Sequence, residues 1–230
     1  MKKLLFAICL AVLALPVHAK LIMTVTDLND FSTDVFTDLD YGIPDATITG
    51  TAGVIIFDSV LSPILGTYWT GGGVISTSNY ADPSDPGLLG SASFTLNALQ
   101  TGDNLAITVV ADEYLNPTGS PIGFEAIVNA STLVDATYDF LVDVGPGNQL
   151  LTALDISDTN TYSNSAVYDL SAPFSIQHSI RFGATAIGGD LGVDMSTRAF
   201  PVPEPAPLAL LGTGLLGLGL TAELRKKRRR

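Results

Sequence analysis

The stretch ATYDFLVDV, residues 136–144, places an apolar side chain at every second position. The apolar set shares one face of an extended chain and consists of Ala136, Tyr138, Phe140, Val142 and Val144. Asp139 and Asp143 lie on the opposite face. Because successive side chains of a strand point to opposite faces, this pattern predicts a β-strand with one buried face.

The same alternation recurs on both sides of this stretch, in residues 91–96, 105–109, 122–128 and 174–182. Turn residues rich in Gly, Pro, Asn and Asp separate the segments, and no helical period is evident between residues 20 and 200. Strands with one apolar face need a second sheet to cover that face. The sequence therefore predicts an all-β domain at 20–200, an antiparallel two-sheet β-sandwich of roughly eight to twelve strands, jelly-roll-like in plan.

The charge of the 230-residue chain is unevenly distributed around a formal total of −12. Residues 20–200 hold three bases against 21 acids, a net charge of −18. So acidic a domain repels phosphate backbones, which argues against a nucleic-acid partner. The single cysteine, Cys9, lies in the first apolar run, so the domain has no thiol or disulfide.

The first 19 residues are typical of a secretory signal peptide. Lys2 and Lys3 precede a 12-residue apolar run from Leu4 to Leu15, which is too short to span a bilayer. Small or apolar residues before the end of the segment predict cleavage between Ala19 and Lys20. The expected partners at this stage are the Sec translocon and signal peptidase.

The last 30 residues, 201–230, combine a proline-rich break, an apolar span and a basic end. Residues 205–222 carry no charge, and Arg225 to Arg230 form an unbroken cationic cluster. A cationic cluster beside an apolar segment stays on the cytoplasmic side of a membrane. The order of features predicts a C-terminal transmembrane helix in the inner membrane, with the β domain outside.

The motif at Pro203, Glu204 and Pro205, followed by this span and basic end, resembles the PEP-CTERM sorting signal of exported bacterial proteins. The acid Glu223 between span and bases is a small departure from the family pattern. The resemblance implies recognition by exosortase, a membrane protease-transpeptidase that releases or transfers the protein. It predicts a chain that is anchored transiently and then reaches the cell surface or the extracellular matrix of a biofilm.

Three groups of residues have side chains that could act in catalysis, but none of them forms a recognisable catalytic site. His178 shares the parity of its apolar neighbours, so it is expected to be a packed or edge histidine. Asp112 with Glu113, and Glu125, offer carboxylates, but an acidic domain contains such pairs by chance. The sequence therefore predicts a protein that is not an enzyme.

A calcium site is a further hypothesis, because hard cations prefer several oxygen ligands and Asp is abundant near the start of the domain. The candidate ligands are Asp34, Asp38 and Asp40. No Asp-x-Asp-x-Asp-Gly loop accompanies them, and a solvated acidic surface accounts for the same residues. Apart from calcium, no cofactor is expected.

Aromatic residues in a Gly/Ser/Thr-rich stretch suggest a sugar-binding surface. Tyr68, Trp69 and Tyr80 could stack on pyranose rings, although a lone Trp is more often a core residue. The function favoured by the whole sequence is a non-catalytic structural or adhesive surface component. The alternative is a carbohydrate-binding surface module, calcium-dependent or not, with exopolysaccharide as partner.

Overall fold

The computed structural model describes residues 20–38, 47–48, 53–78, 88–114, 121–170 and 173–202. Within these residues there are thirteen strands and one short helix, α1 (Pro63–Tyr68). The strands are β1 (Lys20–Asp27), β2 (Thr33–Thr37), β3 (Thr47–Ile48), β4 (Val54–Asp58), β5 (Trp69–Ser78), β6 (Leu88–Ala98), β7 (Gly102–Tyr114), β8 (Ile122–Val134), β9 (Ala136–Val144), β10 (Asn148–Ile156), β11 (Thr161–Tyr168), β12 (Phe174–Ala184) and β13 (Asp190–Pro201).

The strands form two sheets that pack face to face, which confirms the predicted all-β sandwich. The first sheet has the order β10-β9-β12-β7-β1-β2-β3, and the second has the order β11-β8-β13-β6-β5-β4. The number of described strands, thirteen, is slightly higher than the expected eight to twelve. Among the described strands, every pair is antiparallel except one at the edge of the first sheet, where β2 and the two-residue β3 run parallel.

The alternation read from the sequence becomes the pattern of burial. In β9 every second residue from Ala136 to Val144 is buried, and the residues between them are partly exposed. The same pattern occurs in β8 over residues 124–128 and in β12 over residues 174–182. One continuous core results, because the buried faces of the two sheets meet each other.

Aromatic rings lock the two sheets together across this core. Trp69 of β5 meets Phe182 of β12 edge to face, with ring centroids 5.2 Å apart. At the other end of β12, Phe174 meets Phe124 of β8 at 5.4 Å, again edge to face. Each such pair contributes roughly 0.5–1.5 kcal/mol beyond the area that it buries.

The register gives the sandwich two distinct ends. β1 begins at Lys20 opposite Asp112, near the end of β7, and β13 finishes at Pro201 opposite Ile122. Both termini of the described domain therefore leave from the same end, which we call the terminal end. The opposite end, called the distal end, carries α1 and the turns β1–β2, β4–α1, β6–β7, β8–β9 and β12–β13.

Backbone hydrogen bonds join the turns of the distal end to each other. The amide of Leu99 donates to the carbonyl of Tyr68 at 2.7 Å, which ties the β6–β7 turn to α1. The amide of Thr185 donates to the carbonyl of Asp135 at 2.8 Å, which ties the β12–β13 turn to the β8–β9 turn. These bonds make the distal end a connected surface rather than a set of separate loops.

His178 lies in the core, as the sequence predicted. Its Nε2 forms a 2.8 Å hydrogen bond with Oγ1 of Thr197 in the opposite sheet, and both side chains are buried. Burial lowers the pKa of His178 to about 3, because a charged imidazolium would lose its hydration there. The ring is therefore neutral in the folded protein at physiological pH.

This buried neutral histidine makes stability depend on pH. The pKa of His178 is about 3 in the fold and near the ordinary value of about 6.5 when unfolded. The unfolded chain therefore binds the proton first, and the contribution to stability is lost as pH falls from about 6.5 towards 3. We expect the free energy of unfolding to fall more steeply than in His178→Gln, by at most about 1.4 kcal/mol per pH unit.

Urea unfolding of both chains between pH 7.5 and 4.5 measures this difference. The carboxylates titrate in both chains, so their contribution cancels when the two curves are subtracted. Parallel curves over the whole range would contradict the assignment.

Candidate functional site

The residues predicted for export and sorting lie outside the described residues, apart from Lys20. Lys20 is the first residue of β1, whereas Ala19 precedes the described chain. Pro203, Glu204 and Pro205 and the apolar span after them also lie outside it. In the parts of the chain that the structure describes, no helix is long and apolar enough to cross a membrane.

The structure corrects the hypothesis of a sugar-stacking Trp69. Its side chain is 0% exposed and packs against Phe182, so it offers no ring face to a ligand. The indole instead belongs to the core between the two sheets. Tyr80, the third aromatic residue of the hypothesis, lies outside the described residues.

Tyr68 is half-buried, and its hydroxyl is engaged within the distal end. The hydroxyl donates to Oδ2 of Asp27 at 2.6 Å and accepts a 3.3 Å hydrogen bond from Nδ2 of Asn29. The bond from Tyr68 is the main reason that the pKa of Asp27 lies below its usual value, and it raises the pKa of Tyr68. These bonds fix the β1–β2 turn against α1, which is a positioning role.

Two of the candidate calcium ligands accept hydrogen bonds from the chain. Oδ2 of Asp34 accepts from the hydroxyl of Ser62 at 2.6 Å and from the amide of Ile64 at 3.1 Å. Oδ2 of Asp38 accepts from the amide of Gly53 at 2.9 Å. Asp40 lies outside the described residues. Among those that are described, no three or more His, Cys, Asp or Glu side chains are grouped to hold a metal ion.

Glu125, one of the candidate catalytic carboxylates, forms an ion pair with an arginine. Its Oε2 lies 2.6 Å from Nη2 of Arg198, which is placed directly opposite it on β13. The pair is largely exposed on the outer face of the second sheet, so it contributes little to stability.

A cavity of about 110 Å³ opens beside the distal end, on the outer face of the first sheet. Its polar wall consists of Thr137, Asp139, Asp155 and Arg181. Leu28 of the β1–β2 turn also lines it. A single water needs only about 10–15 Å³, so the space is large enough for part of an organic ligand. We call this cavity the Arg181 pocket.

Arg181 is a cation without a partner in this pocket. It is exposed, and it lies directly opposite Asp139 in the register of β12 and β9. Among the described residues it forms no hydrogen bond or ion pair, whereas Arg198 on the other sheet is paired. Its guanidinium donors are therefore available to a ligand.

The backbone at Asp155 is held in a conformation that few residues adopt. Its φ is 55°, in the left-handed region, at an irregularity where β10 shifts register against β9. The amide of Asp155 donates to Oδ1 of Asp139 at 2.7 Å, which stabilises this local geometry. Such a conformation costs about 1 kcal/mol or more, and bulges of this kind redirect a side chain at functional sites.

Exposed apolar side chains are concentrated at the distal end. They come from separate turns that the fold brings together, and they are Phe31, Val60, Leu61, Leu99, Val134 and Ile187. Single exposed apolar residues are ordinary, but several on one end of a domain are typical of a contact surface.

The Arg181 pocket was not predicted from the sequence. One signal was available, since Arg181 is one of only three bases between residues 20 and 200 and falls on a polar strand face. Its proximity to Asp139 and Asp155 depends on the pairing of β12, β9 and β10, which no local pattern specifies.

No protein-family model and no curated protein matches the chain. Among solved structures, it is similar to a PA14 sugar-binding domain from an RTX adhesin, with 10% identity over 80% of this chain and 91% of that one, at a TM-score of 0.32. The K3 cleaved adhesin domain of Lys-gingipain from Porphyromonas gingivalis has 16% identity over 65% and 93%, at 0.35.

A family 35 carbohydrate-binding module from Clostridium thermocellum is also similar, with 15% identity over 66% of this chain and 100% of that one, at a TM-score of 0.26.

Proposed function

We propose that the protein is an exported, exosortase-sorted surface module that is not an enzyme and that contacts the extracellular polymer through its distal end. Signal peptidase acts after Ala19, and exosortase acts at the motif Pro203–Pro205. The C-terminal segment anchors the chain until that step. The domain then serves as an adhesive or structural component of the cell surface or matrix.

The observation that supports this proposal most strongly is that both termini of the described domain lie at one end of the sandwich. Lys20 and Pro201 both lie at the terminal end, so the predicted cleavage site and sorting motif extend from that end. The 12 residues of β13 span about 40 Å at roughly 3.3 Å per residue. A membrane anchor after Pro201 therefore leaves the distal end facing outwards.

The side chains of the distal end agree with this orientation. The distal end combines exposed apolar residues with the Arg181 pocket, which is the composition of a recognition surface. The imidazole that a hydrolytic triad would need belongs to His178, which is buried and neutral. Ligand binding without catalysis accounts for these features.

Sorting predicts two different masses for the wild-type chain and for Glu204→Ala. In an exosortase-containing host, we expect the wild-type protein to begin at Lys20 and to end near Pro205. The substitution removes the acid of the motif, so Glu204→Ala should keep its C-terminal segment. Intact-mass spectrometry of the exported protein measures both ends, and a wild-type chain that still ends at Arg230 would contradict the sorting proposal.

The placement of both termini at one end predicts that the opposite, distal end binds the polymer. Ile187 is 74% exposed at the distal end, whereas Val167 is 55% exposed in β11, near the terminal end. We expect Ile187→Ser to reduce binding to the extracellular polymer shed by the producing culture several-fold, because it removes an apolar contact. Val167→Ser removes a comparable side chain from the other end and should bind like the wild type.

Co-sedimentation of the full chain with that polymer compares the three proteins. Equal binding by all three, or a loss confined to Val167→Ser, would contradict a distal contact surface.

A further inference from the structure

We infer that the Arg181 pocket binds the hydroxyl groups of a neutral saccharide. This inference rests on the proposed function, since it names the ligand class at the distal contact surface. The earlier aromatic hypothesis fails at Trp69 because that ring is buried.

The hydrogen-bonding capacity of the pocket defines what a ligand must offer. Arg181 presents only donors, and the carboxylate oxygens of Asp139 and Asp155 present acceptors. A ligand therefore has to accept and donate hydrogen bonds within the same small space. A hydroxyl group does both, and the neighbouring hydroxyls of a sugar ring do so at adjacent positions.

The charge of the pocket and of the whole domain favours a neutral ligand. Two carboxylates outnumber the single guanidinium, and the domain carries 21 acids against three bases. A polyanion meets repulsion that one arginine does not offset. A cation meets the guanidinium of Arg181, which lines the same pocket. A polyhydroxylated chain without charge avoids both penalties.

The backbone that frames the pocket is held in place before any ligand arrives, which reduces the entropic cost of binding. Asp139 and Arg181 lie opposite each other on the paired strands β9 and β12. The 2.7 Å bond from the amide of Asp155 to Asp139 holds the irregular turn of β10 in place. Leu28 adds apolar surface, against which the C–H face of a sugar ring can pack.

Calorimetric titration of the full chain, purified in mild detergent, tests the inference. The probes are hexasaccharides of β-1,3-glucan, β-1,4-glucan, β-1,4-mannan and β-1,4-galactan, with hexagalacturonate as the anionic comparison and a Gly-Ser hexapeptide as the amide comparison. We expect at least one neutral hexasaccharide to bind in the presence of EDTA, and more tightly than either comparison probe.

Substitutions separate this pocket from the rest of the surface. Arg181→Gln and Asp139→Asn should each weaken binding at least tenfold, and Arg181→Lys should retain only part of the affinity, because it keeps the charge and loses the planar fork. Arg198→Gln is the matched control on the opposite sheet and should bind like the wild type. Because Arg181 is exposed and unpaired among the described residues, its replacement leaves the fold intact, which the thermal unfolding midpoint checks.

Four results would overturn the inference: no neutral probe binds, Arg181→Gln binds undiminished, hexagalacturonate or the peptide binds more tightly, or binding requires calcium. The polymer assay distinguishes this failure from failure of the proposed function. If Ile187→Ser binds the polymer weakly while Arg181→Gln binds it like the wild type, the distal contact surface is supported and the saccharide pocket is contradicted. If both variants bind the polymer like the wild type, both the distal contact surface and the saccharide pocket are contradicted.

Discussion

The apolar contact between the two sheets is the constraint on which the structure depends. Every second residue of β9 turns inwards, and rings such as Trp69 and Phe182 meet across the core from opposite sheets. A shift of one residue in any central strand would turn its apolar side chains outwards. The core therefore fixes the register, and the register determines which side chains share the outer faces and the two ends.

The separation of the two ends follows from that register. β1 starts and β13 finishes at the same end because both run antiparallel to partners that begin or end there. Six turns or turn-borne elements then meet at the other end, joined by backbone hydrogen bonds such as that from Leu99 to Tyr68. Those bonds, and the bond between Tyr68 and Asp27, make the distal end a surface on which a ligand contact can be built.

The sequence predicted the class of fold and the facing of individual residues, because period-two alternation reports burial directly. His178 and the apolar positions of β9 lie where it placed them. For Trp69 the sequence left two alternatives, a sugar-stacking ring or a core residue, and the structure shows the core residue. The glycines beside it permit close strand packing, since a Cβ at Gly72 would collide with the backbone of β4. The Arg181 pocket depends on pairing between distant strands, which local sequence does not encode.

The central claim is that the distal end faces away from the membrane in which we propose that the C-terminal segment is anchored. Energy transfer measures this directly in the full chain, inserted in liposomes whose headgroups carry an acceptor. A donor is attached at Val202→Cys or at Ile187→Cys, in a Cys9→Ser background that removes the one native cysteine. The account predicts efficient transfer from position 202 and weak transfer from position 187, about 40 Å farther along the length of β13. Equal or stronger transfer from position 187 would contradict it.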